Sequence, residues 1–205
     1  TVTYTHVLTA LRKSSLPDVS DHIKGILANV TENGPNRVEY SSYYLKMYEE
    51  AAMALSRCST SDVQTIDNIL TSIEEKAKTN DGPWPSEKLY TSLLHAIQYQ
   101  SQIERIGDQA EHVLRRMQHV YNAGNWNAKP GVEAYHKVLK SWSSSKHPKK
   151  ALRALDICKE MDELYKQGDV ELRPSCITFT LILNACFNVN HKDFTEEDAI
   201  RVALE

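Results

Sequence analysis

The chain has 205 residues, of which 41% are hydrophobic and 25% charged, with 24 Lys and Arg against 27 Asp and Glu. This composition is typical of a globular protein and excludes the collagen-like, low-complexity and disordered classes. The net charge of −3 argues against a uniformly basic nucleic-acid binder, and no apolar run reaches the roughly 18 residues that cross a bilayer.

Cysteine usage and the chain ends bear on the cellular setting. The four cysteines, Cys58, Cys158, Cys176 and Cys186, form no C-x-x-C pair, and their spacing does not predict a disulfide framework. We therefore expect a reducing, intracellular compartment. The chain starts at a threonine and ends within a predicted helix, so we expect it to be an excerpt of a longer protein.

Five segments along the chain share one pattern of apolar residues. Each segment opens with an aromatic residue, and apolar or aromatic residues recur three, four and seven positions after it. This spacing places the side chains on one face of an amphipathic helix. The aromatic residues that open the five predicted first helices are Tyr4, Tyr40, Tyr90, Tyr135 and Phe179.

A second predicted helix follows each first one, with its own repeated apolar face. The anchors of these second helices are Ile23, Ile66, Ala110, Ala154 and Ala199. Glycines at 34, 82, 124 and 168 follow them, where a left-handed residue would end a helix. Ser61-x-x-Gln64 resembles a capping box. No alternating strand pattern competes, so the sequence predicts an all-α fold.

The helical pairs predict a repeat architecture. Two helices of this length cannot bury their apolar faces alone, so neighbouring pairs must stack. The sequence therefore predicts one α-solenoid, an α-α superhelix of about five stacked antiparallel helical hairpins. The predicted repeats are residues 1–36, 37–86, 87–131, 132–175 and 176–205, and the last of them is truncated.

Two segments carry a resemblance to a known family. Pro174-Ser-Cys-Ile-Thr-Phe-Thr-Leu-Ile-Leu-Asn-Ala-Cys186, and Ala154-Leu-Asp-Ile-Cys-Lys-Glu-Met161 with Gly168 after it, resemble pentatricopeptide repeats (PPR), and the third to fifth repeats resemble the long-repeat variety. The resemblance implies a solenoid that binds single-stranded RNA with about one base per repeat. It also implies organellar RNA processing, stability or translation, in a mitochondrion or a plastid.

The resemblance further implies which residues contact RNA. In the family, the residue after the aromatic and the last residue of the repeat contact the base edge. The pairs here are Thr5 with Asn36, Ser41 with Ser86, Thr91 with Gly131 and His136 with Ser175, and Thr180 has no counterpart. The residues that would sandwich the bases are Val2, Val38, Lys88, Glu133 and Ile177. A Thr and Asn pair favours adenine in this family.

The first-helix segments carry net positive charge, as RNA binding by the first helices would require. The first-helix segments sum to +4, whereas the second-helix segments sum to −10. Phosphates attract a positive layer. Lys137 and Lys140, in the fourth predicted first helix, are therefore predicted to bind phosphates, with a merely solvated face as the alternative.

Other chemistry finds little support in the sequence. There is no Gly-rich phosphate loop, H-E-x-x-H motif or assembled nucleophile and base, so we expect no enzyme, cofactor, metal site, small-molecule substrate or membrane contact. Trp84 and Trp126 are predicted to pack the linkers between repeats onto the outer surface. The alternative function is a helical-repeat adaptor or scaffold that holds a protein partner in its concave surface.

Overall fold

In the computed structural model of the protein, the described residues are 2–14, 18–33, 42–58, 62–79, 82–100 and 104–187, and they contain helices but no strand. The α-helices of this described part are α1 (Val2–Lys13), α2 (Val19–Asn33), α3 (Ser42–Leu55), α4 (Val63–Lys78), α5 (Glu87–Gln98), α6 (Ile106–Asn122), α7 (Val132–Ser144), α8 (Lys150–Lys166) and α9 (Cys176–Phe187). Short 3₁₀ helices, Trp126–Ala128 and Val170–Leu172, precede α7 and α9. No described helix has the length and apolarity that a membrane span requires.

Every described α-helix lies where the apolar periodicity predicts one. The odd-numbered helices are the predicted first helices, and the even-numbered helices are the predicted second helices. The all-α class is thus confirmed for the described residues. The predicted helix around Ala199 lies outside them, and the stacking of all hairpins into one solenoid stays a prediction.

The chain divides into two compact units. Unit one comprises Thr1–Ala96 with Val120–Lys129, and unit two comprises Ile97–His119 with Pro130–Glu205. In unit one, α1 packs against α2 and α3, and α3 packs against α2 and α4. Tyr90 of α5 donates its phenol hydrogen to the buried Glu74 of α4 over 2.7 Å, so the polar tip of this buried ring has a partner.

Unit two packs α7 against α8 and α9, and α8 against α9. Trp142 of α7 is the largest fully buried side chain, and its Nε1 donates to Glu111 of α6 over 3.2 Å. Glu111 also accepts from Arg115 over 3.2 Å, and the buried Tyr135 donates to Glu160 of α8 over 2.9 Å. These bonds satisfy the polar groups that the apolar faces of α6, α7 and α8 would otherwise leave buried without partners.

The first and last described helices are less buried than predicted. Tyr4 and Val7 of α1 are 39% and 42% exposed, and Phe179 and Leu183 of α9 are 53% and 57% exposed. All four had been assigned to the apolar core by the periodicity. Within the described part of the chain, α1 has neighbouring helices only after it in the sequence and α9 only before it. Part of each apolar face therefore has no described helix against it.

The linkers before α7 and α9 have the same internal conformation, 44 residues apart. Gly124 and Gly168 have φ angles of +103° and +109°, and the residue after each glycine donates its N–H to the carbonyl five residues earlier. The left-handed glycine predicted at each helix end is confirmed, and this hydrogen bond makes each ending a Schellman motif. The following 3₁₀ helices bury Ala128 and Leu172. Gly82 departs from the prediction, because α4 already ends at its C-cap Thr79 and the φ of Gly82 is not left-handed.

The linker tryptophans differ from the expectation that they pack onto the outer surface. Trp84 is half-buried, but Trp126 is 77% exposed. The ring of Trp126 makes an edge-to-face contact with Tyr121, with 5.6 Å between the ring centroids. The buried residue of that short helix is Ala128, so the tryptophan does not anchor the linker.

Helix α4 begins one residue later than the capping box predicts. Asp62 is its N-cap, and Oδ1 of Asp62 accepts from the backbone N–H of Thr65 over 3.0 Å. Gln64 bonds Asn68 on the helix surface instead of reaching back to a cap. Burial alone would raise the pKa of the Asp62 carboxyl, but hydrogen bonds from Lys24 of α2 and from Thr65 outweigh it and hold that pKa below its ordinary value.

Removal of this cap gives a first test of the fold. Asp62→Ala is expected to lower the free energy of unfolding by about 1 kcal/mol, because the first turn of α4 loses its acceptor. Asp62→Asn is the matched control, since asparagine caps about as well as aspartate. Urea unfolding followed by far-ultraviolet circular dichroism measures both variants. Equal losses in the two would place the stabilisation in the pair with Lys24 and not in the cap.

Candidate nucleic-acid interface

The fourth predicted base-contact pair is brought together at the start of α9. His136 lies near the start of α7, and Ser175 immediately precedes α9. Nε2 of His136 lies 2.9 Å from Oγ1 of Thr178, and the N–H of Ser175 donates to the same oxygen over 3.1 Å. Thr178 has no exposed surface, whereas His136 is half-buried and Ser175 is exposed. One buried hydroxyl therefore holds both predicted residues.

The local sequence explains this arrangement. Pro174 disfavours helix in the residue before it, so α9 is not expected to begin earlier than the proline. Thr178 is the third residue of α9, and its side chain accepts from the N–H of the N-cap residue Ser175. This contact is the reciprocal half of a capping box. The packing of α9 on α7 then places the capping hydroxyl against His136.

Burial favours the neutral form of His136. Burial lowers the pKa of His136 below its ordinary value. A neutral imidazole has one donor and one acceptor nitrogen. The pair can therefore recognise the polar edge of a base, but it supplies no charge for binding phosphate.

The second predicted pair is described for Ser86 alone, because Ser41 lies outside the described residues. The hydroxyl of Ser86 donates to Oε1 of Glu49 on α3 over 2.5 Å. A carboxylate in this position would repel the phosphate of any strand that bound there. The Glu49 carboxylate could instead accept a hydrogen bond from a base N–H if the Ser86 hydroxyl no longer donated to it.

Thr91 and Thr180 use their hydroxyl hydrogens within their own helices. Thr91 donates to the carbonyl of Lys88 over 3.1 Å, and Thr180 donates to the carbonyl of Cys176 over 2.7 Å. Bonds of this kind are common for threonines in helices. They leave each oxygen able to accept but not to donate. Gly131 is the N-cap of α7, with an extended backbone and no side chain to offer a base.

The first predicted pair cannot be assembled from the described residues. Thr5 is half-buried on α1, and its carbonyl accepts from the hydroxyl of Thr9 over 2.8 Å. Asn36 and Val38 lie outside the described residues. Val2 begins α1, but its side chain also lies outside the described part. The predicted adenine preference of Thr5 with Asn36 therefore stays a prediction.

The predicted base-sandwiching positions are surface positions wherever they are described. Ile177 is 60% exposed, and Lys88 is exposed on α5. The Glu133 side chain is 69% exposed and pairs with Lys137 over 3.2 Å. Of these residues, Ile177 has the apolar, accessible side chain that packing against a base requires.

The two predicted phosphate-binding lysines have different environments. The Lys137 side chain is 14% exposed and is engaged by Glu133, one helical turn earlier. Lys140 is exposed, near the middle of α7. A lysine already paired with a carboxylate offers less net charge to a phosphate. Lys140 is therefore the more accessible of the two lysines, and Lys137 is the one paired with a carboxylate.

Other reactive groups in the described part are isolated. The searched residues contain no group of three or more His, Cys, Asp and Glu side chains that could hold a metal ion. The cysteines are free thiols, and burial raises the pKa of Cys58, Cys158 and Cys186. A raised pKa keeps a thiol protonated and weakly nucleophilic.

Two residues of this interface were missed by sequence reasoning. Thr178 could have been found from the Ser-x-x-Thr spacing at the predicted start of α9, which is a variant of a capping signal. Glu49 carries no local signal, because its contact with Ser86 joins residues 37 positions apart.

Comparison with known proteins returned no match: no protein-family model, no curated protein and no solved structure matches this chain.

Proposed function

We propose that this chain is a helical-repeat module that binds single-stranded RNA, built as an α-solenoid in which the odd-numbered helices line the groove. The observation that carries the proposal is the meeting of His136 and Ser175 at Thr178. These are the two positions that pentatricopeptide repeats use for one base, and they are 39 residues apart in this sequence. The half-buried His136 and the exposed Ser175 lie beside one another, and together they can hydrogen-bond the edge of an unpaired base.

Hydrogen bonds between residues about one repeat apart support the solenoid. In unit one, His95 contacts the carbonyl of Ser56, 39 positions away. In unit two, Gln98 donates to the carbonyl of Lys137, also 39 positions away, and Ser145 donates to the carbonyl of Glu104, 41 positions away. Contacts whose separations fall in a narrow range near the repeat length are typical of stacked repeats, in which each repeat touches its neighbours.

The expected affinity is modest. Each stacked base contributes roughly 1 to 3 kcal/mol of favourable binding energy. The free-energy costs of association and of ordering the RNA offset most of the total from a few repeats. The first helices carry only a small positive excess. The organellar setting, a mitochondrion or a plastid, is proposed from the resemblance alone, as are the roles in RNA processing, stability or translation.

Fluorescence anisotropy of the 205-residue chain tests the proposal. The probes are randomised single-stranded RNA, a matched duplex and single-stranded DNA, each at two salt concentrations. We expect preferential binding to single-stranded RNA that weakens with salt, because phosphate contacts release counterions. No binding at micromolar protein, with a folded helical spectrum, would overturn the proposal for this chain.

Lys140→Ala tests the phosphate contact. We expect weaker binding to all RNA sequences and a decrease of about 0.7 in the log–log slope of affinity against salt, because one phosphate contact is lost. Lys166→Ala is the control, since Lys166 is an exposed lysine on α8 that pairs with Asp162. Equal losses in both variants would contradict the assignment of α7 to the RNA face.

A protein-binding adaptor or scaffold is the second candidate. The observation that favours it is that Ile177, Phe179 and Leu183 of α9 are each more than half exposed in the part of the chain that the structure describes. Apolar patches of this kind mark protein contacts more often than phosphate contacts. Binding that is insensitive to salt, and a failure to bind RNA, would favour this candidate.

A further inference from the structure

We infer that Thr178 fixes the tautomer of His136 and so makes this site select a base whose Watson–Crick ring nitrogen is an acceptor, adenine or cytosine. The inference rests on the proposed RNA-binding function, and it names the specificity of one site. Thr178 is a positioning residue here, because its buried hydroxyl contacts the histidine and would not contact the base.

The direction of the hydrogen bond follows from the surroundings of the Thr178 hydroxyl. Its oxygen already accepts from the N–H of Ser175. Its hydrogen is fully buried and needs an acceptor. Nε2 of His136 lies at 2.9 Å, whereas Oγ of Ser175 lies at 3.5 Å, at the limit of a hydrogen bond. Thr178 therefore donates to Nε2.

This bond determines what the other ring nitrogen does. With Nε2 acting as an acceptor in a neutral ring, the hydrogen of the imidazole is on Nδ1. Within the described part of the chain, Nδ1 of His136 has no hydrogen-bond partner, and the side chain is half-exposed. His136 thus presents one N–H donor. The depressed pKa supports the same state, because a protonated ring could not accept from Thr178.

A single donor discriminates between two classes of base. The Watson–Crick ring nitrogen of adenine and of cytosine is an acceptor, whereas that of guanine and of uracil carries a hydrogen. The N–H on Nδ1 can donate to the ring nitrogen of adenine or cytosine. It would face another N–H donor on guanine or uracil, which is unfavourable. The Ser175 hydroxyl is exposed beside it and can donate or accept, so it adapts to the neighbouring exocyclic group.

Two measurements test the inference. The first is ¹⁵N NMR of the His136 ring in the free protein at neutral pH, which distinguishes the two neutral tautomers and the protonated ring. We expect a hydrogen on Nδ1 in the wild type and in Thr178→Ser, and a mixture of tautomers in Thr178→Val. A hydrogen on Nε2 in the wild type overturns the inference, whatever the RNA result and whether or not Thr178→Val folds.

The second measurement selects bound sequences from randomised single-stranded RNA. We expect one position enriched in adenine and cytosine for the wild type and for Thr178→Ser. In Thr178→Val we expect that preference to fall by about two- to tenfold, the range of one neutral hydrogen bond, with total RNA binding kept. Ser141→Ala on α7 controls for loss of a buried hydroxyl that does not contact His136. RNA binding with an unchanged preference in Thr178→Val overturns this inference alone, whereas no RNA binding by the wild type overturns the proposed function.

Discussion

Gly107→Ala is expected to destabilise unit two by about 3 kcal/mol, a loss near the upper end for overpacking a core. A β-carbon on Gly107 would lie 2.8 Å from Cζ3 of Trp142, and closer still to Cε3 and Cδ2 of the same indole. The indole cannot move away easily, because Trp142 is 1% exposed and its Nε1 bonds Glu111. The helix therefore tolerates no side chain at this position, although alanine is the better helix former.

Gly25→Ala is the matched control, because a β-carbon there meets no atom within 4 Å. Gly25 lies within α2, and alanine in its place is expected to gain up to about 1 kcal/mol of helix stability. Urea unfolding followed by circular dichroism measures both variants. Trp142→Leu should relieve part of the loss in Gly107→Ala, since the two residues are in contact. A Gly107→Ala protein as stable as the wild type would contradict the packing of α6 on α7.

The positions of the helices could be read from the sequence because the signal is local. In α7, the pattern of Tyr135, Val138, Leu139 and Trp142 predicts one buried face, and all four side chains are buried. Helix ends marked by left-handed glycines were also predictable at Gly124 and Gly168. These features depend on neighbours within about one helical turn.

The buried face of α9 was not predictable in the same way. This helix is apolar on most of its positions, so the periodicity does not determine which face is buried. Phe179 was expected in the core and is 53% exposed, while Thr178, one residue earlier, has no exposed surface. The deciding contacts are those of Thr178 with His136 and Ser175, and the first of these joins residues 42 positions apart.

The candidate site was predictable in its positions but not in its contacts. The family resemblance names His136 and Ser175 without showing that a third residue bridges them. The ion pair of Lys137 was predictable from the sequence. Glu133 stands four residues before Lys137, and Glu and Lys at this spacing form ion pairs on helices. Contacts between helices depend on how the hairpins pack against one another. No local pattern in a single sequence shows which residues of two hairpins will meet.

The stability of unit two is expected to fall steeply above pH 10, because the raised pKa of Tyr135 keeps its phenol protonated in the folded protein at pH values where the unfolded chain ionises. Burial raises the pKa of the Tyr135 phenol, and the neighbouring carboxylate of Glu160 raises it further. In the unfolded chain the phenol ionises near its ordinary pKa of about 10. Above that pH the unfolded state binds fewer protons than the folded state, so the free energy of unfolding falls by up to about 1.4 kcal/mol per pH unit.

Tyr135→Phe isolates this effect, since every other ionisable group is the same in the two proteins. At neutral pH the variant should be less stable by about 1 kcal/mol, because the bond to Glu160 at 2.9 Å is lost and Gln118 loses its contact at 2.9 Å with the phenol oxygen. Between pH 10 and 12 the wild type should lose this advantage and become the less stable of the two. Urea unfolding across that range measures the difference, and tyrosinate absorbance should show one more tyrosine ionising on unfolding in the wild type. A constant difference in stability at all pH values would mean that the Tyr135 phenol is accessible to solvent in the folded state, and that the network joining α6, α7 and α8 is open.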